Sequence, residues 1–242
     1  LVLPMALQNL INVAVTSADV IMLGSVDETV LSASSLAGQV QFVMTLIFFG
    51  LTSGAAVLTA QYWGKGDTNT IEKVIGIAMR FSLIVGALFT AAALLFPAQL
   101  MMIFTNEQPV IDEGAKYLQI VGISYLFTSV TMVYLNIMRS VERVVISTIV
   151  YLCSLICNIV INSILIFGLF GAPKLGIQGA AIGTVIARAL ELTITLIYSR
   201  RKENPVRLRF SYIFVRNKLL FLDFLRFSIP VTANELMWGL GV

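Results

Sequence analysis

The chain has 242 residues, 58% of them hydrophobic and 12% charged, with a mean hydropathy of +0.91 and a formal charge of +3. A soluble domain carries roughly 45–50% apolar and about 25% charged residues, so this chain has too little polar side chain to cover a water-soluble globule. The composition also excludes collagen-like, disordered and disulfide-scaffold classes, and the lack of any His excludes His-based triads, proton shuttles and metal sites.

Six apolar runs, each long enough to cross a ~30 Å hydrocarbon core, occupy residues 1–23, 30–61, 71–104, 110–138, 144–170 and 177–199. In the first, Asn9, Asn12, Thr16 and Asp19 recur at helical spacing and share one face. An ionisable group at the bilayer centre costs roughly 2.5–3.5 kcal/mol. That face is therefore expected to look into the bundle or a watery cavity and to meet a cation. The alternative is that Asp19 only anchors its helix near the interface. The run has no basic start and is interrupted by Asp19, so it is not a signal peptide. After the second run, Gly64-Lys65-Gly66 lacks the hydroxyl of a nucleotide-binding loop. No energy-coupling enzyme or other catalytic constellation is visible, and transport is expected rather than catalysis.

The fifth run places Ser154, Asn158 and Asn162 four apart on one face. Amides there serve either as glue between helices or as oxygen ligands of a hard cation such as Na+. Cys153 and Cys157 read as small packing residues. In the sixth run, Gly179, Gly183 and Ala187 form a small-residue face, Thr184 offers a hydroxyl beside it, and Arg188 pairs most simply with Glu191.

Residues 200–219 read as a linker lying against the membrane surface, and a seventh apolar helix starts near Leu220. Its Glu235, close to Pro230 and Trp238, is a second candidate for attracting a cation by charge and ring quadrupole. Leu3-Pro4-Met5-Ala6-Leu7-Gln8-Asn9-Leu10 and Ile229-Pro230-Val231-Thr232-Ala233-Asn234-Glu235-Leu236 form a weak repeat six helices apart. A parallel repeat of this kind builds two-lobe secondary transporters. The expected organisation is a six-helix lobe over 1–199, a linker over 200–219 and the first helix of a second lobe over 220–242. The whole reads as part of a longer protein of about twelve spans.

Lys and Arg set the orientation. Thirteen lie in or beside the second, fourth and sixth connections, two (Lys116 and Lys174) in the third and fifth, and Arg188 inside a span. The even connections and the N-terminus are therefore expected in the cytoplasm, in a multi-pass protein of the cell membrane.

Four stretches resemble multidrug and toxic compound extrusion (MATE) transporters. They are Leu3-Pro4 with Asp19-Val20-Ile21-Met22-Leu23-Gly24, Ala60-Gln61-Tyr62-Trp63-Gly64, the stretch from Asn158 through Asn162 to Gly168, and the glycine-rich start of the sixth helix. The resemblance implies an all-α integral membrane protein with two six-helix lobes around a V-shaped cavity. It implies a secondary active antiporter that exports organic cations or drugs in exchange for Na+ or H+ by alternating access. Asp19 resembles the first-helix acid central to coupling, with Asn158, Asn162 and Thr184 around it. Glu235 resembles the seventh-helix acid, and Asn9, Asn12, Thr16 and Trp238 complete the expected cation cavity. The expected partners are the substrate, the coupling ion and the bilayer. No nucleic acid and no cofactor beyond a transient Na+ at Asp19 are expected, and the complete protein is expected to act as a monomer. The rival readings are a flippase for lipids or lipid-linked sugars, which needs a cavity rich in Arg and Lys, and a non-transporting membrane receptor or assembly protein.

Overall fold

Asp27 and Asp67 begin the two longest helices of the computed structural model, which describes residues 10, 13, 17, 18, 20–201, 204–214, 217–239 and 241. Asp27 Oδ1 accepts from the Thr29 amide at 2.6 Å. The Asp67 carboxylate accepts from the Thr70 amide at 3.0 Å and from its hydroxyl at 2.6 Å. Each satisfies amide donors that a helix leaves without partners at its start. The same bonds hold both carboxyl groups below the usual aspartate range, chiefly through the Thr29 amide at Asp27 and the Thr70 hydroxyl at Asp67.

Helix α1 (Glu28–Gly64) runs 37 residues, about 55 Å at 1.5 Å per residue, so it projects past a hydrocarbon core. Helix α2 (Thr68–Leu95) ends at Phe96, whose φ of −131° and ψ of 42° are non-helical. Pro97 causes this, since a proline pushes the residue before it out of the α region. A short helix α3 (Pro97–Met102) follows, so the apolar run 71–104 is broken where an unbroken span was expected.

The next run is likewise not straight: α4 (Gln108–Val121) and α5 (Ser124–Ser140) meet at a 56° bend. Gly122 sits in the bend so close to α2 that a Cβ on it would lie 2.8 Å from the Cβ of Ala93. The Thr90 hydroxyl donates to the Gly122 carbonyl at 2.9 Å. Helix α6 (Val144–Phe167) stops at Gly168, which adopts the left-handed conformation at φ 72°. Helix α7 (Ile177–Ser199) returns beside α6, and α8 (Lys218–Gly239) comes last. Among the described residues, helices α1, α2, α6 and α7 are each long and apolar enough to cross a membrane, and the bent α4–α5 pair is so too when taken as one span. Of the first apolar run, residues 10, 13, 17, 18 and 20–23 are described, and they are helical.

The core lies where α1, α2 and α5 meet, around the buried Met44, Phe48, Tyr125, Tyr134 and Leu135. Small residues allow the closest approaches. Gly50 and Gly54 of α1 face the main chain of Thr232 and Ser228 on α8, leaving no room for a Cβ on either glycine. Phe81 of α2 stacks on both Phe221 and Phe224 of α8, with centroids 5.8 and 5.6 Å away.

The linker meets the end of the bundle at its buried Asn204 and Val206, whereas Arg207, Arg209, Phe210, Ser211 and Phe214 are exposed. Asn204 donates to the Tyr134 phenol, which in turn donates to the Val206 carbonyl at 3.1 Å. Glu72 accepts from the Arg207 amide at 3.0 Å and from Arg209 Nε at 2.7 Å. Arg80 Nε donates to the Ile213 carbonyl at 2.6 Å. These side chains satisfy main-chain groups of residues 204–214 and tie the segment to the bundle as a strap.

Candidate functional site

The face of α6 that carries Ser154, Asn158 and Asn162 is turned inward, and all three are buried. Asn162 Nδ2 donates to Asn158 Oδ1 at 3.2 Å, and Asn158 Nδ2 donates across to Thr184 Oγ1 on α7 at 3.5 Å. Thr184 spends its own proton on the Ala180 carbonyl at 3.0 Å, so its oxygen is left to accept. Three of the residues singled out from the sequence are thus joined in one seam between two helices.

Glycines make that seam possible. A Cβ on Gly179 would lie 2.8 Å from the Leu165 carbonyl, and one on Gly183 would collide with Asn162 Oδ1. The small face of α7 therefore meets α6 directly and admits the amide. One turn further along α7, Arg188 NH1 donates to Glu191 Oε1 at 2.7 Å, the Glu191 side chain being 2% and the Arg188 side chain 26% exposed. Tyr151 of α6 lies at the same level and takes the Arg139 guanidinium over its ring at 5.8 Å.

These groups open onto a cavity of about 680 Å³ between α1, α5, α6 and α7, lined among others by Asn158, Thr184, Tyr151, Arg188 and Glu191. The α1 wall adds Ser34, Gly38, Gln41 and Thr45. Their four, three, four spacing is a helical stripe present in the sequence but missed there inside a long apolar run. Neutral amide, hydroxyl and phenol oxygens in a largely apolar enclosure suit a desolvated cation, because hard cations take oxygen ligands.

Asn9, Asn12, Thr16 and Asp19 lie outside the described residues. Glu235 is half-buried and Trp238 is 74% exposed, both on α8, and neither lines this cavity. They are not brought together with the α6–α7 seam.

Among protein-family models, MatE matches residues 4–164. The chain belongs to the MatE family. Within it, the chain is 31% identical over 229 residues to the probable multidrug resistance protein NorM of Rhizobium meliloti (strain 1021), covering 94% of this chain and 49% of that one. It is 25% identical over 203 residues to the probable multidrug resistance protein YoeA of Bacillus subtilis (strain 168), covering 83% and 44%. It is also similar to a solved MATE structure in the bent conformation, with a TM-score of 0.86 at 19% identity over 98% of this chain and 52% of that one. At that identity the likeness shows the fold, an all-α multi-pass membrane bundle. This MatE chain spans about half the length of the curated relatives it matches.

Proposed function

We propose that the chain supplies the first six-helix lobe, and the start of the second, of a secondary active antiporter. The complete protein exports organic cations or drugs in exchange for Na+ or H+ by alternating access. The observation that carries this reading is the cavity of about 680 Å³ in a MatE fold, with Asn158 and Thr184 bonded to each other on its wall.

In this reading Asp19, Asn158, Asn162 and Thr184 hold the coupling ion. Asn9, Asn12, Thr16, Glu235 and Trp238 contribute to the substrate path of the complete protein. Na+ or H+ at Asp19 cancels its charge, changes which helix packing is favoured and competes with a cationic substrate. One charge moving through 100 mV releases ~2.3 kcal/mol, a factor of about 50 in a concentration ratio. The potential acts only on net charge, so a one-for-one exchange of monovalent cations runs on the ion's concentration gradient. The potential adds its share when the substrate carries no net charge or more than one ion enters. The flippase reading needs several cationic side chains for a pyrophosphate. Among the described residues the cation on this cavity's wall is Arg188, and Glu191 offsets its charge at 2.7 Å.

Dye efflux by the complete protein in vesicles, with sodium and pH gradients imposed separately, tests the proposal. Efflux should follow one of the two gradients and fall at least about tenfold in Asp19→Asn, as expected when a coupling charge is lost. Undiminished efflux in that variant overturns the role given to Asp19. Absence of efflux under both gradients overturns the antiport itself.

A further inference from the structure

We infer that Arg188 is the contact for an anionic group on the transported molecule, so that the cavity accepts organic cations that also carry a carboxylate. This deepens the proposed export function and rests on it. An ion pair inside a membrane bundle is expensive to keep, and a pair of apolar side chains would hold two helices at less cost. The pair is also asymmetric. Both residues line the cavity, but the Glu191 side chain is 2% exposed whereas the Arg188 side chain is 26% exposed.

A guanidinium has five N–H donors in a fixed fork. Arg188 spends one, on Glu191 Oε1, and makes no other hydrogen bond or ion pair with a described residue. Its remaining edge can take a carboxylate in the two-pronged geometry that planar donors favour, while the first bond stays in place.

The rest of the wall fixes where the other end of such a molecule goes. Thr184 is four residues before Arg188 on the same face of α7, about 6 Å along the axis. Asn158, Thr184 and Arg188 line the same cavity, so a ligand that carries both a positive group and a carboxylate can meet the polar seam and the guanidinium together. Glu191 has a further effect: it neutralises Arg188 in the empty cavity, so a plain organic cation is not repelled. The cavity is thereby tolerant of cations and selective for those that bring an anion with them.

The test uses the complete transporter in lipid vesicles and two dyes on one ring system, rhodamine B with a free carboxylate and its ethyl ester without one. Affinities are read by fluorescence polarisation. The wild type should bind both. The paired substitution Arg188→Met with Glu191→Gln, which leaves no lone buried charge, should lower the ratio of acid to ester affinity by about tenfold, the loss expected for a charge-assisted contact. Should the paired variant not be recovered as a monodisperse protein, Arg188→Lys is read instead. It keeps the charge but not the fork, and should lower the same ratio by about threefold. An unchanged ratio in the variant overturns the inference, as does a wild type that binds the ester and not the acid; export of the ester would then still stand. A wild type that neither binds nor exports either dye removes the export function and this inference together.

Discussion

At Gly183 a single methyl group decides whether the polar seam forms. A Cβ there would occupy the place of Asn162 Oδ1, which belongs to a fully buried side chain that donates to Asn158 at 3.2 Å. In Gly183→Ala, either Asn162 turns and gives up that bond or α7 moves off α6. Overpacking of this kind costs about 1–3 kcal/mol. The variant should therefore melt below the wild type in detergent, and an unchanged Tm would falsify the tight approach of the two helices. Asp67 gives a residue-scale prediction of a different kind. Its pKa is held below the ordinary 3.8, first by the Thr70 hydroxyl and then by the Thr70 amide. A carboxyl whose folded pKa is depressed contributes stability that is present above its unfolded value and is lost as pH falls through the folded one. The contribution should accordingly disappear below pH 3.8. Asn caps a helix without titrating, so Asp67→Asn should flatten the acid limb of a Tm-against-pH curve. Parallel acid limbs in the two proteins would assign that limb to other groups.

At the scale of elements, the strap and the bundle end hold each other. Tyr134 stands at the centre, accepting from Asn204 and donating to the Val206 carbonyl. Its ring is fully buried, so Tyr134→Phe preserves the packing and removes only the oxygen. The Val206 carbonyl then loses its donor and Asn204 Nδ2 keeps only its longer bond to the Tyr198 carbonyl at 3.4 Å, at about 1–3 kcal/mol. The expected result is a lower Tm together with faster tryptic cleavage after Arg207 and Arg209, since the strap is what the phenol secures. Faster cleavage without a change in Tm would mean that the strap opens independently of the bundle. Either effect would be absent if the phenol did not hold residues 204–214 to the bundle.

For the molecule as a whole, what could be read from the sequence is what repeats at short range. The four-residue spacing of Ser154, Asn158 and Asn162 survives any tertiary arrangement of α6, and the glycine face of α7 is equally local. The anchoring of the strap was not legible, because it depends on Tyr134 and Glu72, which lie 70 and 135 residues before their partners. The bend between α4 and α5 escaped notice for the same reason: Gly122 is recognisable as a bend only once Ala93 and Thr90 of α2 are beside it. Orientation, in contrast, is a property of the whole charge distribution. Helix α2 separates the α1–α2 connection, with Lys65 and Lys73 nearby, from the α3–α4 connection, which is followed by Lys116. The bias of Lys and Arg predicts that the former connection is cytoplasmic and the latter external. In a protein with Cys153 and Cys157 replaced by Ala, Asn69→Cys and Asn106→Cys place one thiol at each end, both at exposed positions. A membrane-impermeant maleimide should label position 106 in intact cells and position 69 only in inside-out vesicles. The opposite pattern reverses the orientation and puts the strap and its arginines outside. Labelling of both from one side would mean that α2 does not cross at all, and the cavity between α1, α5, α6 and α7 would then lose the helix that fixes α5 in place.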